Sequence, residues 1–266
     1  MMAAVKGSMR YILLGLGFYL IFLVMQLPAN KFYYFVEDTI DDQNIPLEVY
    51  GLSGSLWQGE AKRITYNGQA FNQVAWEFHP LALLTGNLSS SFRYKNVEGN
   101  ASGLVSYGLG GTITAENLVV NMQATEALKL AKIPAFKLSG ELKLNIPRLV
   151  LTDKRLSYIN GRLLWADAKS IFPQKLDLGN LVVDLVTDEE GIVAAKLSDG
   201  GGALELAGGL TLEPDGKYNF NGQFSSREGR NSVLGRALGF MGRYDANGKA
   251  VLTKTGNVSE FSFLYK

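Results

Sequence analysis

From Leu47 onward the apolar residues recur at every second position, and that period constrains the fold more than any other feature. Leu138, Gly140, Leu142, Leu144 and Ile146 alternate with Ser139, Glu141, Lys143 and Asn145. Leu204, Leu206, Gly208, Leu210 and Leu212 alternate with Glu205, Ala207, Gly209 and Thr211, and Tyr218, Phe220, Gly222 and Phe224 repeat the pattern, as do Phe261, Phe263 and Tyr265. Successive side chains of a strand point to opposite faces, so one apolar row and one polar or small row mark half-buried antiparallel strands. Turn signals punctuate the rows at Asn67-Gly68, Glu98-Gly99-Asn100, Asn160-Gly161, Glu190-Gly191, Asp215-Gly216 and Asn247-Gly248; such pairs supply the positive φ that tight hairpins need. Roughly a dozen or more strands are predicted. A sheet of that size must curl, split or close. Many of the 30 glycines fall inside strand patterns, where they mark bulges and bends. The expected fold is mainly β: one large, strongly curved antiparallel sheet, as a groove, half-barrel or roll. Two short helices are expected, at Gln123–Lys132 and at Ser232–Arg243, the second capped by Asn231 or Ser232.

The N-terminal region breaks this period. Tyr11–Leu27, YILLGLGFYLIFLVMQL, is 17 residues without a charge. A helix crossing a bilayer core needs about 20 apolar residues, with roughly 17 as the lower end. Lys6 and Arg10 precede the stretch and no acid stands among residues 1–10. By the positive-inside rule the tail 1–10 stays in the cytoplasm and the bulk of the chain lies on the other side. A cleaved signal peptide is the competing reading, but its apolar region usually spans about 7–15 residues, and cleavage after Ala29 would place bulky Leu27 at −3. The aromatics Phe32, Tyr33, Tyr34 and Phe35 follow as an interfacial belt would. A buried core helix would leave the basic flank unexplained. Residues 28–46 form a collar: Pro28 ends or kinks the membrane helix, and Phe32, Val36 and Ile40 continue at helical spacing. Its acids Glu37, Asp38, Asp41 and Asp42 suit a solvated face.

Residues 47–266 then form a β-rich domain, long enough to bury a substantial core. A short internal echo points to two related halves. Gly54-Ser-Leu-Trp57 leads to Ile64 and Gly161-Arg-Leu-Leu-Trp165 leads to Ile171. If the halves are real they meet near 123–134, where the strand rhythm breaks.

The inventory for chemistry is thin. The chain has no Cys and one His, which removes thiol catalysis, disulfides and the common zinc centres. His79, in Trp76-Glu-Phe-His-Pro80, has no recognisable triad and reads as a packing or capping residue. Phosphate-binding loops are absent. Asp199-Gly-Gly-Gly202 precedes a strand and reads as a turn. The bases number 26 and the acids 25, with no basic cluster for nucleic acid. No enzyme activity, cofactor, metal or nucleic-acid partner is expected. Trp57, Trp76 and Trp165 read as sheet-packing aromatics rather than a sugar platform.

Three stretches carry a family resemblance: Gly51-Leu-Ser-Gly54-Ser-Leu-Trp57-Gln-Gly59-Glu-Ala61, Val74-Ala-Trp76-Glu-Phe-His-Pro80-Leu-Ala-Leu-Leu84-Thr-Gly86-Asn-Leu88, and Ile159-Asn-Gly161-Arg-Leu-Leu-Trp165-Ala-Asp-Ala168. With the anchor and the length, the chain resembles the protein N family of the bacterial type II secretion system, and it does so over most of its length. The third stretch is the most irregular. The motifs are structural, so Gly54, Trp57, Gly59, Trp76, Pro80, Gly86, Gly161 and Trp165 are expected to define the fold rather than catalyse. The resemblance implies a single-pass inner-membrane protein with its bulk in the periplasm. It would be an accessory, structural component of a machine exporting folded proteins across the outer membrane, with other secretion subunits as partners. Pieces of the first two stretches also look like the wider group of AsmA-like periplasmic proteins. That weaker likeness implies the alternative: a carrier of lipid or another hydrophobic ligand on an apolar sheet groove.

Overall fold

The computed structural model describes residues 15–17, 19, 22, 26–130, 137–153, 155–172 and 174–258. The expected membrane span at 11–27 falls mostly outside them, as does the strand pattern at 261–265. Among the described residues no helix is long and apolar enough to cross a membrane. The chain separates into two compact units, Met1–Tyr94 and Lys95–Lys266.

In the first unit, α1 spans Ala29–Asp42. Pro28 starts this helix: its carbonyl accepts from the N–H groups of Lys31 and Phe32 at 3.1 and 3.0 Å. The face turned inward carries Ala29, Tyr33, Val36 and Ile40, while Phe32, expected on it, is exposed. Strands β1 (Leu47–Gly54), β2 (Gln58–Tyr66), β3 (Gln69–Phe78) and β4 (Asn87–Asn96) follow, each antiparallel to the one before. The β2–β3 turn is Asn67-Gly68 with φ of 50° and 77°, as a type I′ hairpin requires. A 3-10 helix, η1 (Pro80–Thr85), joins β3 to β4. Leu52, Ala61, Val74 and Tyr94 stand opposite one another across the four strands. Ala61 and Tyr94 of this row are buried, and Phe71 meets Tyr94 edge to face at 5.8 Å.

The second unit carries β5 (Gly99–Gly108), β6 (Ile113–Gln123), α2 (Ala124–Leu130), β7 (Lys137–Thr152), β8 (Arg155–Phe172) and β9 (Leu176–Thr187). β10 (Val193–Asp199), β11 (Leu204–Leu212), β12 (Lys217–Ser226), α3 (Val233–Met241), β13 (Arg243–Tyr244) and β14 (Ala250–Asn257) complete it. Order follows the chain to β12, then runs β14 and β13. The pairs within each unit are antiparallel, and β1 in the first unit and β13 in the second each have a single neighbour.

The predicted alternation holds at atomic level. Leu204 and Leu206 are buried beside exposed Ala207, and Tyr218 and Gly222 are buried between exposed Lys217, Asn219, Asn221 and Gln223. One expectation is corrected. Asn160-Gly161 is no turn; it lies inside β8, where Gly161 faces Leu185. A Cβ at Gly161 would sit 2.8 Å from the Asn145 carbonyl oxygen, so this glycine serves close strand approach. Register shifts interrupt β7–β8 at four places; bulges of this kind bend a strand and increase its twist.

Two clusters hold this unit. Leu204, Leu206 and Ala250 of the sheet pack with Leu234 and Leu238 of α3. Ile146, Ile159 and Val193 form the other, with Leu144, Leu185 and Leu212 against them. The strand leucines thus pack on each other and on α3, so the expectation of a ligand-cradling apolar groove gains no support. Ser232 is the N-cap of α3, its hydroxyl accepting from the Gly235 N–H at 2.9 Å.

Candidate functional site

The expected motif residues gather in the first unit around the β1–β2 turn. Ser55 N–H donates to the Gln58 carbonyl at 2.8 Å, and the Ser55 hydroxyl accepts from Gln58 N–H at 3.1 Å. Gly54 precedes this turn at φ 82°. Gly59 follows it, opposite both Gly54 and Trp76. A Cβ at Gly59 would lie 2.5 Å from Cζ2 of Trp76, so the indole ring covers the glycine backbone. The Trp76 indole N–H donates to the Leu56 carbonyl at 3.0 Å. Trp57 meets Phe78 edge to face at 6.4 Å, and the Phe78 N–H donates to the Trp57 carbonyl at 2.6 Å.

Pro80 opens η1 and Gly86 closes it in the left-handed region, at φ 75°. His79 is the residue before Pro80. Its Nε2 lies 2.8 Å from Ser91 Oγ and its N–H donates to the Ser89 carbonyl at 2.8 Å. Its described polar partners are thus hydroxyl and backbone groups. Gly161 and Trp165 lie apart from this group, on β8 of the second unit. There the Trp165 indole repeats the device of Trp76, donating to the Ser139 carbonyl at 3.0 Å beside a bulge.

The opposite face of the four strands carries a polar row that the sequence pattern did not single out. Ser53, Glu60, Ala75 and Arg93 are cross-strand neighbours in that order, and Gln58, Glu77 and Ser91 form the next row. Together they line a cleft of about 400 Å³. Small Ala75 forms the floor between the Glu60 carboxylate and the Arg93 guanidinium, an inference from register and side-chain size. Ser53 Oγ donates to Glu60 at 3.1 Å. All three charged residues, Glu60, Glu77 and Arg93, are exposed. The cleft therefore offers carboxylate acceptors and a guanidinium donor to an extended polar segment. The signal was present in the sequence as charges at alternate positions, but such charges look the same on any solvated strand face.

Among the described residues no cluster of three or more His, Asp or Glu side chains could hold a metal ion. A family model described as type II secretion system (T2SS), protein N, matches residues 46–253. A type II secretion system protein N of Aeromonas hydrophila is 27% identical over 250 residues, covering 90% of this chain and 94% of that one. Its counterpart from Vibrio cholerae serotype O1 is 25% identical over 217 residues, covering 80% and 85%. The one from Klebsiella pneumoniae is 26% identical over 246 residues, covering 92% and 94%. No solved structure matches the chain.

Proposed function

Because the chain belongs to the type II secretion system protein N family, we propose that it is an accessory inner-membrane component of that system, with a structural rather than catalytic role. Residues 11–27 anchor it, the basic tail stays in the cytoplasm, and the β-rich units work in the periplasm. The observation that carries this reading is the family match over 46–253, which spans nearly all of the β-rich region. The uncharged stretch and its one-sided basic flank support the anchor. Its partners are other secretion subunits. An open strand edge and the polar cleft of the first unit are the two features suited to an extended protein segment, since strand addition supplies main-chain bonds and alternate side chains supply specificity.

Deletion of the gene tests the proposal. Exported hydrolases accumulate in the periplasm of the deleted strain, and the full chain restores them to the medium. Residues 31–266 delivered as a soluble periplasmic protein fail to restore them, because the anchor sets location. Normal secretion in the deleted strain would remove the proposed role.

A further inference from the structure

We propose that η1 is a second membrane contact, a leucine-tipped loop that dips into the bilayer surface beside the anchor; this rests on the anchor reading above. Leu81 is 77% exposed, Leu83 50% and Leu84 84%. Leu88, just beyond in β4, is also exposed. Exposed leucines packed this densely on one short loop are unusual for a surface in water.

The position of the loop says what covers it. The Leu56 N–H donates to the Leu27 carbonyl at 2.9 Å, and Pro28 forms a β-bridge with Ser55. The end of the uncharged stretch is therefore bonded to the β1–β2 turn. Trp57 in that turn accepts from Phe78, the last residue of β3. Two inter-strand steps, about 10 Å, separate Leu27 from Phe78. The loop leaves the sheet two residues later, at Pro80. It thus projects from the sheet end where the anchor meets the fold, while the Asn67-Gly68 turn lies at the other end of β3.

Charge points the same way. Phe78–Phe92 contains no Asp, Glu, Lys or Arg, in a chain that is 19% charged. A loop entering the interface must not carry charge into the acyl boundary. Several of its polar groups are also paired within the loop: the Ala82 N–H donates to the His79 carbonyl, the Gly86 N–H to the Leu83 carbonyl, and the Thr85 hydroxyl to the Ala82 carbonyl at 2.8 Å. Leu81, Leu83 and Leu84 are its exposed large apolar side chains. A second contact would fix the tilt of the first unit on the membrane, which one point of attachment leaves free.

The chain has no Cys, so Leu84→Cys and Ala70→Cys each give a single labelling site. Ala70 is exposed and lies at the far end of β3. The full-length chain, labelled with an environment-sensitive fluorophore, is reconstituted in phosphatidylethanolamine–phosphatidylglycerol vesicles and floated on a density gradient. The label at 84 should shift to the blue, lose iodide quenching and gain quenching by interfacial spin-labelled lipid. The label at 70 should stay accessible to iodide. Protein that floats with both labels equally open to iodide overturns the loop contact and leaves the anchor standing. Both labels equally protected also overturns it, since the unit would then lie on the membrane without using this loop. Protein that does not float overturns the anchor, and this contact with it.

Discussion

Gly59 and Trp76 show how one residue pair can hold a strand junction. The indole covers the backbone of Gly59 and its N–H satisfies the carbonyl of Leu56 in the turn. Any side chain at 59 would also meet the carbonyl oxygens of Ser53 and Ser55, at 2.8 and 2.9 Å. Backbone cannot move aside as the tip of a flexible side chain can. Gly59→Val should therefore cost about 1–3 kcal/mol, the range of overpacked sites, read as a lower denaturation midpoint. Trp76→Phe keeps an aromatic ring but leaves the Leu56 carbonyl without its indole donor, at about 1 kcal/mol. A Gly59→Val chain as stable as the parent would remove the pair from the account of the fold. These residues stood out in the sequence in Trp57-Gln-Gly59 and Trp76-Glu-Phe, yet their contact did not. Cross-strand partnership depends on register, and two residues 17 apart in sequence become neighbours only once the turn length is known.

Helix α3 carries its energy on one face. Leu234 and Leu238 are 4% and 3% exposed, whereas Phe240 is 93% exposed. Leu234→Ala should cost about 2–5 kcal/mol, as buried leucine truncations do. Phe240→Ala should change stability by less than about 0.5 kcal/mol. Comparing the two by chemical denaturation separates packing from hydrophobicity alone. Ser232→Ala removes the cap on Gly235 and should cost about 1 kcal/mol. This helix was legible because apolar spacing and a capping residue agree, and the strands because a period of two survives bulges. The bulges themselves were less legible. In β7 the alternation changes phase after Ile146, where Pro147 and Arg148 fall at a register shift. Asn160-Gly161 mimics a hairpin turn because glycine serves both positive φ and close approach, and sequence alone does not distinguish them. In α1 the inward face uses Tyr33 rather than Phe32, since helix phase is set by Pro28 and by packing on β1.

Across the whole molecule, the antiparallel pairing and the abundance of strands followed from the sequence. The division between Tyr94 and Lys95 did not, because no change of composition accompanies it. The polar cleft was equally hidden, its charges being ordinary until register placed Ala75 between them. The charged groups also make a prediction at this scale. Five carboxylates of the second unit are held below their ordinary range. Asp184 is lowered by its bond to Arg162, Asp215 by Lys217, Glu205 by the Ser225 hydroxyl and then Lys249, and Glu126 by the hydrogen bond it shares with Glu98 and then by Lys129. Asp199 is the least exposed of the ion-paired aspartates, at 12%. Burial raises its pKa, but the Arg227 guanidinium and the N–H groups of Leu206 and Gly201 outweigh that and bring it down. The same arginine donates to the Gly202 and Leu204 carbonyls at 2.7 and 3.0 Å, so the pair pins the glycine loop between β10 and β11. A carboxyl whose folded pKa is depressed stabilises the fold above its unfolded pKa, about 4, and loses that contribution as pH falls through the folded value. The melting temperature should hold from neutral pH down to about 5 and fall steeply below about 4. Asp199→Asn should melt lower at pH 7 and show a shallower decline in acid, because Arg227 has lost its anionic partner and one titrating group is gone. The more exposed pairs are screened by salt, so added salt should narrow their share of the acid response and leave the contribution of Asp199 largely intact. A variant that keeps the parent's acid slope would show that the Asp199–Arg227 pair does not hold this unit together.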